Sequence, residues 1–543
     1  MLTIAPATKI RQSRNLAVRY YGWLFLALLT AGLLGYGLVL NSFFVADDYF
    51  LLRQSQTGWS LFAHADFAFY RPLTLLTWWL NLQVGHLQPW SYHAVNLLLH
   101  VANSLLVAIM VNLLATHRRY GWLAGLLFCL YPAQPEAVTW LAGRFDLLAT
   151  TSELLTFICL LKFYRGWQTR EKLKPRQFWL WLGAAIFCYW LALLSKEVAV
   201  FLPIMAAVYL TLESFISQTS LKRSMGLIAG VTGVFLLVTG LYIGLRLAVL
   251  GSFGSYADAD YNFLSFVGWA TAWAYSVLIA PVNQAFLVGH KTLAILLILV
   301  CHLLYWSSLV FLVVRLLRTK NPRLWLMLLV AVAWSVLAIE PALTVPYIRT
   351  GWKSGDLEGS RVLYAAGLGV SMLLAMAIME GVACFKNTRP ARVFMAILTT
   401  VVTIFYLGLL LTNNWPWLIA GQQAQQIEQQ FSRIVSLAQA SGHDLSQPEA
   451  GVGLIVQGLP DNYQGAYVAR NMFSYQDNLG AVFYNLHVPA VQIESGQPLP
   501  DFTTLDFKTL YIIKFSTSHN QLKLETVEQV DKGQPPQRLF KAV

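Results

Sequence analysis

Charge is scarce in this 543-residue chain, since only 12% of its residues are Asp, Glu, Lys or Arg, about half the roughly 25% of an ordinary soluble domain. With 57% hydrophobic residues, too few polar side chains remain to cover one water-soluble core of this size, and a compact soluble fold is excluded. Acidic residues are scarcest, 26 against 38 Lys and Arg. Cysteine is sparse too. Cys129, Cys159, Cys188, Cys301 and Cys384 lie in or at the ends of apolar runs, and none falls in the polar C-terminal part. No disulfide framework and no thiolate zinc site is expected from that spacing. Heptads, solenoid repeats and an obvious inverted repeat are also missing.

Apolar runs longer than the 18 or so residues of a membrane span recur instead, and mean hydropathy is +0.54. This is the pattern of a polytopic membrane protein. Spans are expected near 20–44, 92–116, 120–133, 146–164, 178–195, 198–217, 225–248, 292–315, 324–343, 362–383 and 393–413. The stretch Phe263 to Ala280 is read as re-entrant or interfacial, with a missed short span as the alternative, which gives 11 to 13 helices. The first run is too long for a signal-peptide core and is read as an uncleaved span. Net charge is +12, but residues 414–543 carry 8 basic and 11 acidic residues, leaving +15 on the first 413. Those cations sit in six short segments between apolar runs, around Lys9, Arg118, Lys162, Lys222, Arg315 and Lys386, a positive-inside signal and not a nucleic-acid patch. The expectation is a multi-pass protein of the cell (plasma) membrane with a cytoplasmic N-terminus.

Residues 1–413 then form an all-α transmembrane domain, whose first extracytoplasmic loop, 45–91, carries Trp59, Phe62, Phe67, Phe69, Trp78, Trp79 and Trp90 on interfacial helices. Residues 414–543 open with a Gln-rich amphipathic helix near 419–440 and continue through the β-like runs Gly453 to Val456, Ala466 to Val468 and Leu510 to Phe515. They are expected as a small α/β or α+β extracytoplasmic domain that covers the site or binds an acceptor, and whose removal spares carrier binding.

Polar chemistry gathers at the extracytoplasmic ends of the spans. Asp47 and Asp48 follow the first span, where one can serve as a general base or the pair can cap the first loop helix. Glu136, Arg144 and Asp146 fall within eleven residues of one short loop, as a phosphate-binding group or as an ion pair locking a hairpin. Arg71, Lys196 and Arg361 are cations at the membrane boundary, suited to a lipid phosphate or to snorkelling. His64, His93 and His100 lack metal-like spacing and read as hydrogen-bonded structural histidines. Glu153 and Glu340 are carboxylates away from these boundaries.

The stretches Asp47-Asp48, Tyr70-Arg-Pro-Leu-Thr, Tyr92-His-Ala-Val-Asn-Leu-Leu-Leu-His100 and Pro132 through Gly143-Arg-Phe-Asp-Leu-Leu148 resemble the N-terminal half of the transmembrane O-mannosyltransferases that carry tetratricopeptide repeats. More broadly, they resemble GT-C glycosyltransferases such as the protein O-mannosyltransferases. Leu193 to Pro203 and Ser360 to Tyr364 are similar to later family segments, and the tail is outside the resemblance. A GT-C-like fold is implied. So is an inverting transfer of sugar from a polyprenyl-phosphate carrier to an acceptor hydroxyl on a protein, lipid or glycan. In that reading Asp47 is the base with Asp48 beside it, Arg361, Lys196, Arg144 and Arg71 face the phosphate, and Glu136 and Asp146 line the site. The glutamate that the family places just before the arginine is Ser360 here. No cofactor is implied with certainty, a divalent metal remaining open, and no nucleic-acid partner is implied. The alternative is a lipid-linked-glycan flippase or other transporter, with charges lining a path across the bilayer.

Overall fold

The computed structural model describes residues 7–56, 58, 69–115, 118–168, 175–251, 263–339, 355–384, 388–443, 445, 452–470, 472–473, 479–484, 489–493, 497, 508–518 and 521–542. Trp59, Phe62, His64, Phe67 and Glu340 lie outside them. The helices in chain order are α1 (Ala7–Tyr36), α2 (Asp48–Ser55), α3 (Pro72–Gly85), α4 (Pro89–Leu114), α5 (Arg119–Cys129), α6 (Pro135–Val138), α7 (Arg144–Gln168) and α8 (Pro175–Ser195). After them come α9 (Leu202–Ile216), α10 (Leu221–Leu250), α11 (Phe263–Ile279), α12 (Lys291–Thr319), α13 (Pro322–Leu337), α14 (Gly367–Cys384) and α15 (Arg389–Ala440).

Among the described residues, nine helices are long and apolar enough to cross a membrane. Their outward faces carry Trp23, Phe187, Leu303 and Ile404, each more than half exposed. Apolar exposure on that scale belongs in lipid, not water, and the chain is a multi-pass membrane protein. Two expected spans are shorter than anticipated. α13 has 16 residues, and α5 has 11, about 16 Å at 1.5 Å per residue. α5 is buried rather than lipid-facing, because Gly121 and Gly125 press it against α4, where an added Cβ would meet the Ala108 and Ser104 carbonyl oxygens at 2.3 and 2.7 Å. The ambiguous stretch forms α11, with 17 residues.

The expected boundary at 413/414 falls inside α15, which runs unbroken for 52 residues, because its Gln-rich second half continues the helical register of the last span. At that point two asparagines tie the helix to four segments. Asn413 Nδ2 donates to the Pro132 and Pro281 carbonyls at 2.8 Å, and its Oδ1 accepts from the Asn283 amide at 3.3 Å. Asn414 Nδ2 donates to Gly35 O at 3.0 Å, and its Oδ1 accepts from Thr139 Oγ1 at 2.7 Å.

Beyond α15 a five-stranded sheet has the order β4-β1-β5-β6-β7. It is built from β1 (Val452–Gln457), β4 (Ala490–Ile493), β5 (Thr509–Ser518), β6 (Gln521–Asp531) and β7 (Gln537–Lys541). β1 pairs in parallel with β4 and β5, while β6 is antiparallel to both of its neighbours. A small antiparallel hairpin, β2 (Asn462–Tyr463) and β3 (Ala466–Tyr467), stands apart. The expected α/β tail is therefore present, with a mixed sheet packed on the second half of α15. Its apolar core continues through Trp417, Tyr467 and Val468 into Trp140, Trp78 and α2 of the first loop. The small domain and that loop thus share one core.

Candidate active site

Proline at the first turn starts α3, α6 and α9, where its missing N–H costs nothing. These starts place polar residues at the ends of neighbouring helices. Glu136 lies in α6, Asp146 in the first turn of α7, Lys196 in the break between α8 and α9, and Arg71 immediately before α3. Arg361 lies in a single 3-10 turn, Ser360–Leu363, leading into α14.

Each of three expected cations holds a carboxylate. Arg71 grips Glu197 in bidentate fashion, Nε to Oε2 at 2.9 Å and Nη2 to Oε1 at 2.5 Å, and Lys196 Nζ lies 2.5 Å from Asp146 Oδ1. Arg361 pairs with Glu136. A fourth cation, Arg246 of α10, lies 3.5 Å from Glu197 Oε2. Lys196 is within electrostatic reach of both Arg71 and Arg361, so residues far apart in sequence share one cluster. Among the described residues, the four cations contact the three carboxylates Glu197, Asp146 and Glu136 in these pairs. Burial first, then the repulsion of Arg71 and Arg361, lowers the Lys196 pKa below its ordinary 10.5, opposed by Asp146.

Glu136 is the hub of the Arg361 turn. Its Oε2 accepts from Ser360 Oγ at 3.3 Å and from the Arg361 amide at 3.2 Å, and its Oε1 takes the Arg361 guanidinium and the Tyr467 hydroxyl, the latter at 3.1 Å. The carboxylate on the Ser360–Arg361 turn thus comes from α6. The Arg361 guanidinium also lies 4.7 Å over the Trp140 ring and donates to the Tyr467 hydroxyl at 3.0 Å.

The acidic pair separates into two environments. Asp48 is wholly buried, accepting from the Val45 amide at 2.9 Å and the Ala142 amide at 3.0 Å. Burial raises its pKa well above the carboxylate range, against those two amide bonds. It staples the first loop to the turn before α7. Asp47 is half-buried and stands at the N-cap position of α2 with helical φ and ψ of −66° and −6°, and among the described residues its side chain makes no capping hydrogen bond. The capping reading therefore lacks its bond. Just before it, Ala46 takes φ +48° and donates its amide to Val468 O at 3.1 Å. That bond holds the chain just before Asp47 beside Val468, the residue after Tyr467.

Arg144 departs from expectation. It is fully buried under Trp78 and Tyr92, and it pairs with neither Glu136 nor Asp146 among the described residues. Its Nε donates to Asn96 Oδ1 at 2.8 Å and its Nη2 to Asn81 Oδ1 at 3.0 Å and Tyr92 O at 3.2 Å. A guanidinium so enclosed joins loop to bundle and is not presented to a phosphate. His93 and His100 are hydrogen-bonded, the former at 3.0 Å to Ser42 O, the latter at 2.9 Å to the Tyr364 hydroxyl and 3.0 Å to Cys129 O.

Sequence reasoning missed Arg246, Trp140 and Tyr467. For Arg246 the signal was present, a lone cation inside an apolar run, whereas nothing local marks Tyr467. Among the described residues no three His, Cys, Asp or Glu side chains converge as a metal-ligand set. A cavity of about 190 Å³ beside the Arg361 segment is lined by Trp273, Gln284, His302 and Asp356 among others.

The fold is that of a multi-pass membrane protein with an added α/β domain, and it is GT-C-like. The crystal structure of the Archaeoglobus fulgidus oligosaccharyltransferase in complex with Zn and sulfate shares the fold, with a TM-score of 0.50 and 12% identity over 90% of this chain and 67% of that one. In sequence the chain resembles the O-mannosyl-transferases named TMTC. It is 32% identical to protein O-mannosyl-transferase TMTC2 of Homo sapiens over 205 residues, 34% of this chain and 24% of the human protein. It is 38% identical to Tmtc2 of Drosophila melanogaster over 159 residues, 28% of this chain and 16% of that protein. The matched segment thus spans a quarter or less of those relatives. No protein-family profile matches the chain.

Proposed function

We propose that the protein is an inverting glycosyltransferase that moves a sugar from a polyprenyl-phosphate carrier to an acceptor hydroxyl at the extracytoplasmic face of the cell membrane. The observation that carries this reading is the meeting of Arg71, Lys196, Arg246 and Arg361 at one end of the helix bundle. Converging cations of this kind suit the phosphate of a lipid carrier. The likeness to O-mannosyl-transferases supports the reaction class, with mannose the first sugar to test.

In this reaction the acceptor oxygen bonds to the anomeric carbon as the bond from that carbon to the phosphate oxygen breaks. Asp47 takes the acceptor proton, and the phosphate leaves with the bonding electrons. A phosphate needs charge neutralisation more than protonation, which Arg361, Lys196 and Arg71 supply by exchanging part of their contact with Glu136, Asp146 and Glu197 for phosphate oxygens. The acceptor is a protein, lipid or glycan hydroxyl. The transporter alternative calls for charges distributed through the membrane depth, whereas these pairs lie at helix ends.

The test is transfer or release of labelled mannose from polyprenyl-phosphate mannose by the purified full chain. Asp47→Asn is expected to lower turnover about a hundredfold to ten-thousandfold with an unchanged melting temperature. Asp48→Asn instead loses one buried acceptor and about 1–3 kcal/mol of stability. Near-normal turnover in Asp47→Asn removes it as the base.

A further inference from the structure

We propose that the β2–β3 hairpin of the C-terminal domain is a positioning element of the cation site, with Tyr467 and Arg470 holding Arg361 where it meets the carrier phosphate. This rests on the reading of Arg361 given above. The hairpin grips the Gly355 to Arg361 segment at several points. Arg470 pairs with Glu358, three residues before Arg361, and is itself braced by Asp461, its Nε lying 3.0 Å from Oδ2. Asn462 Nδ2 donates to the other Glu358 oxygen at 3.3 Å. Gln464 O accepts from Asn283 Nδ2 at 2.9 Å, which joins the hairpin tip to the segment after α11.

Tyr467 then closes the site. Its hydroxyl accepts from Arg361 and donates to Glu136, so one oxygen sets the spacing of the ion pair. Its ring packs edge-on against Trp140 at 4.7 Å and Trp417 at 5.8 Å, and the Arg470 guanidinium covers it at 4.7 Å. Trp417 belongs to α15 and Val468 holds Ala46 beside Asp47. The hairpin and the residue after it therefore touch Arg361, the chain just before Asp47 and α15. A guanidinium on a flexible side chain loses rotamer freedom when it binds phosphate, and a fixed hydroxyl on one of its nitrogens takes that loss before the ligand arrives. The tail is thus not remote from the carrier, and its removal is expected to weaken carrier binding, against the expectation from sequence.

The experiment is a double-mutant cycle on the full chain in lipid nanodiscs, with affinity for undecaprenyl phosphate as readout. Tyr467→Phe removes one hydroxyl and keeps the ring. It is expected to weaken binding about tenfold in the native background and to have no further effect beside Arg361→Lys, whose ammonium is too short to use the hydroxyl. Arg470→Gln is expected to behave in the same way. A merely structural role predicts an equal loss in both backgrounds, and that result, or undiminished affinity in Tyr467→Phe, overturns the proposal. Absence of undecaprenyl phosphate binding by the unaltered protein overturns it together with the functional reading, whereas binding without coupling overturns the hairpin's role alone.

Discussion

Lys196 and Asp146 are a buried pair at the helix ends, and desolvation weighs on the cation. An ammonium with its pKa lowered by burial and by Arg71 and Arg361 loses its proton at a lower pH than an ordinary lysine. The charged form is the one that binds an anion, so carrier affinity should fall as pH rises through that lowered pKa, and the fall should begin below 10.5. Lys196→Arg keeps its charge across the range and should abolish this alkaline decline. Affinity for undecaprenyl phosphate measured from pH 7 to 10 in both proteins checks it, and parallel profiles would remove Lys196 from the carrier site. The two aspartates are the other contrast. Adjacent in sequence and chemically identical, they differ because a helix start buries Asp48 against Ala142 and leaves Asp47 half-buried.

The turn from α6 to α7 shows how an element positions chemistry. It is held by main-chain contacts, the Thr139 amide on Pro135 O at 2.7 Å and the Gly143 amide on Trp140 O at 3.0 Å. A Cβ at Gly143 would lie 2.3 Å from the Ala137 carbonyl oxygen and 2.7 Å from its carbon. Backbone on both sides cannot give way as a side chain can. Gly143→Ala is expected to cost roughly 1–3 kcal/mol, read as a lower melting temperature. Because Glu136 and Asp146 flank this turn, carrier affinity should fall with it, and a variant with unchanged stability and affinity would show that the turn has slack. α15 conveys position over a longer distance. Composition changes at Asn414, from apolar to Gln-rich, and suggests a domain boundary there, yet the helix continues even through Pro416, whose missing N–H leaves out one backbone bond.

For the whole molecule, the shared core between the first loop and the C-terminal domain puts both on one side of the membrane. In the topology we propose, with the six basic segments inside, that side is extracytoplasmic. The tail contains no cysteine, so Gln534→Cys at the exposed turn after β6, combined with Cys384→Ser, gives one accessible thiol outside the bundle. It should react with a membrane-impermeant maleimide in intact cells. Cys384 of the unaltered chain, exposed at the far end of α14, should react only after the inner face is opened. The reverse pattern would invert the topology and move the site to the cytoplasm.

Long apolar runs, clustered cations and β-branched segments specify spans and strands through local hydrophobicity and propensity, and these were readable directly from the residues. The polar boundary residues also stood out, because a charge at a membrane edge is costly without a partner. Which charge meets which partner was not local. Arg361 takes Glu136 from 225 residues away and Tyr467 from 106, Arg71 takes Glu197, and Arg144 turns from the site into asparagine and carbonyl contacts. Pairing of that kind is decided when helices pack and choose which side chains lose their water, since a buried ion must find its counterion among whatever the packing brings near. Composition and spacing pointed to a few cations at the helix ends away from the six basic segments. Only the tertiary structure decided that each would arrive with a carboxylate and that a tyrosine from the tail would close over one of them.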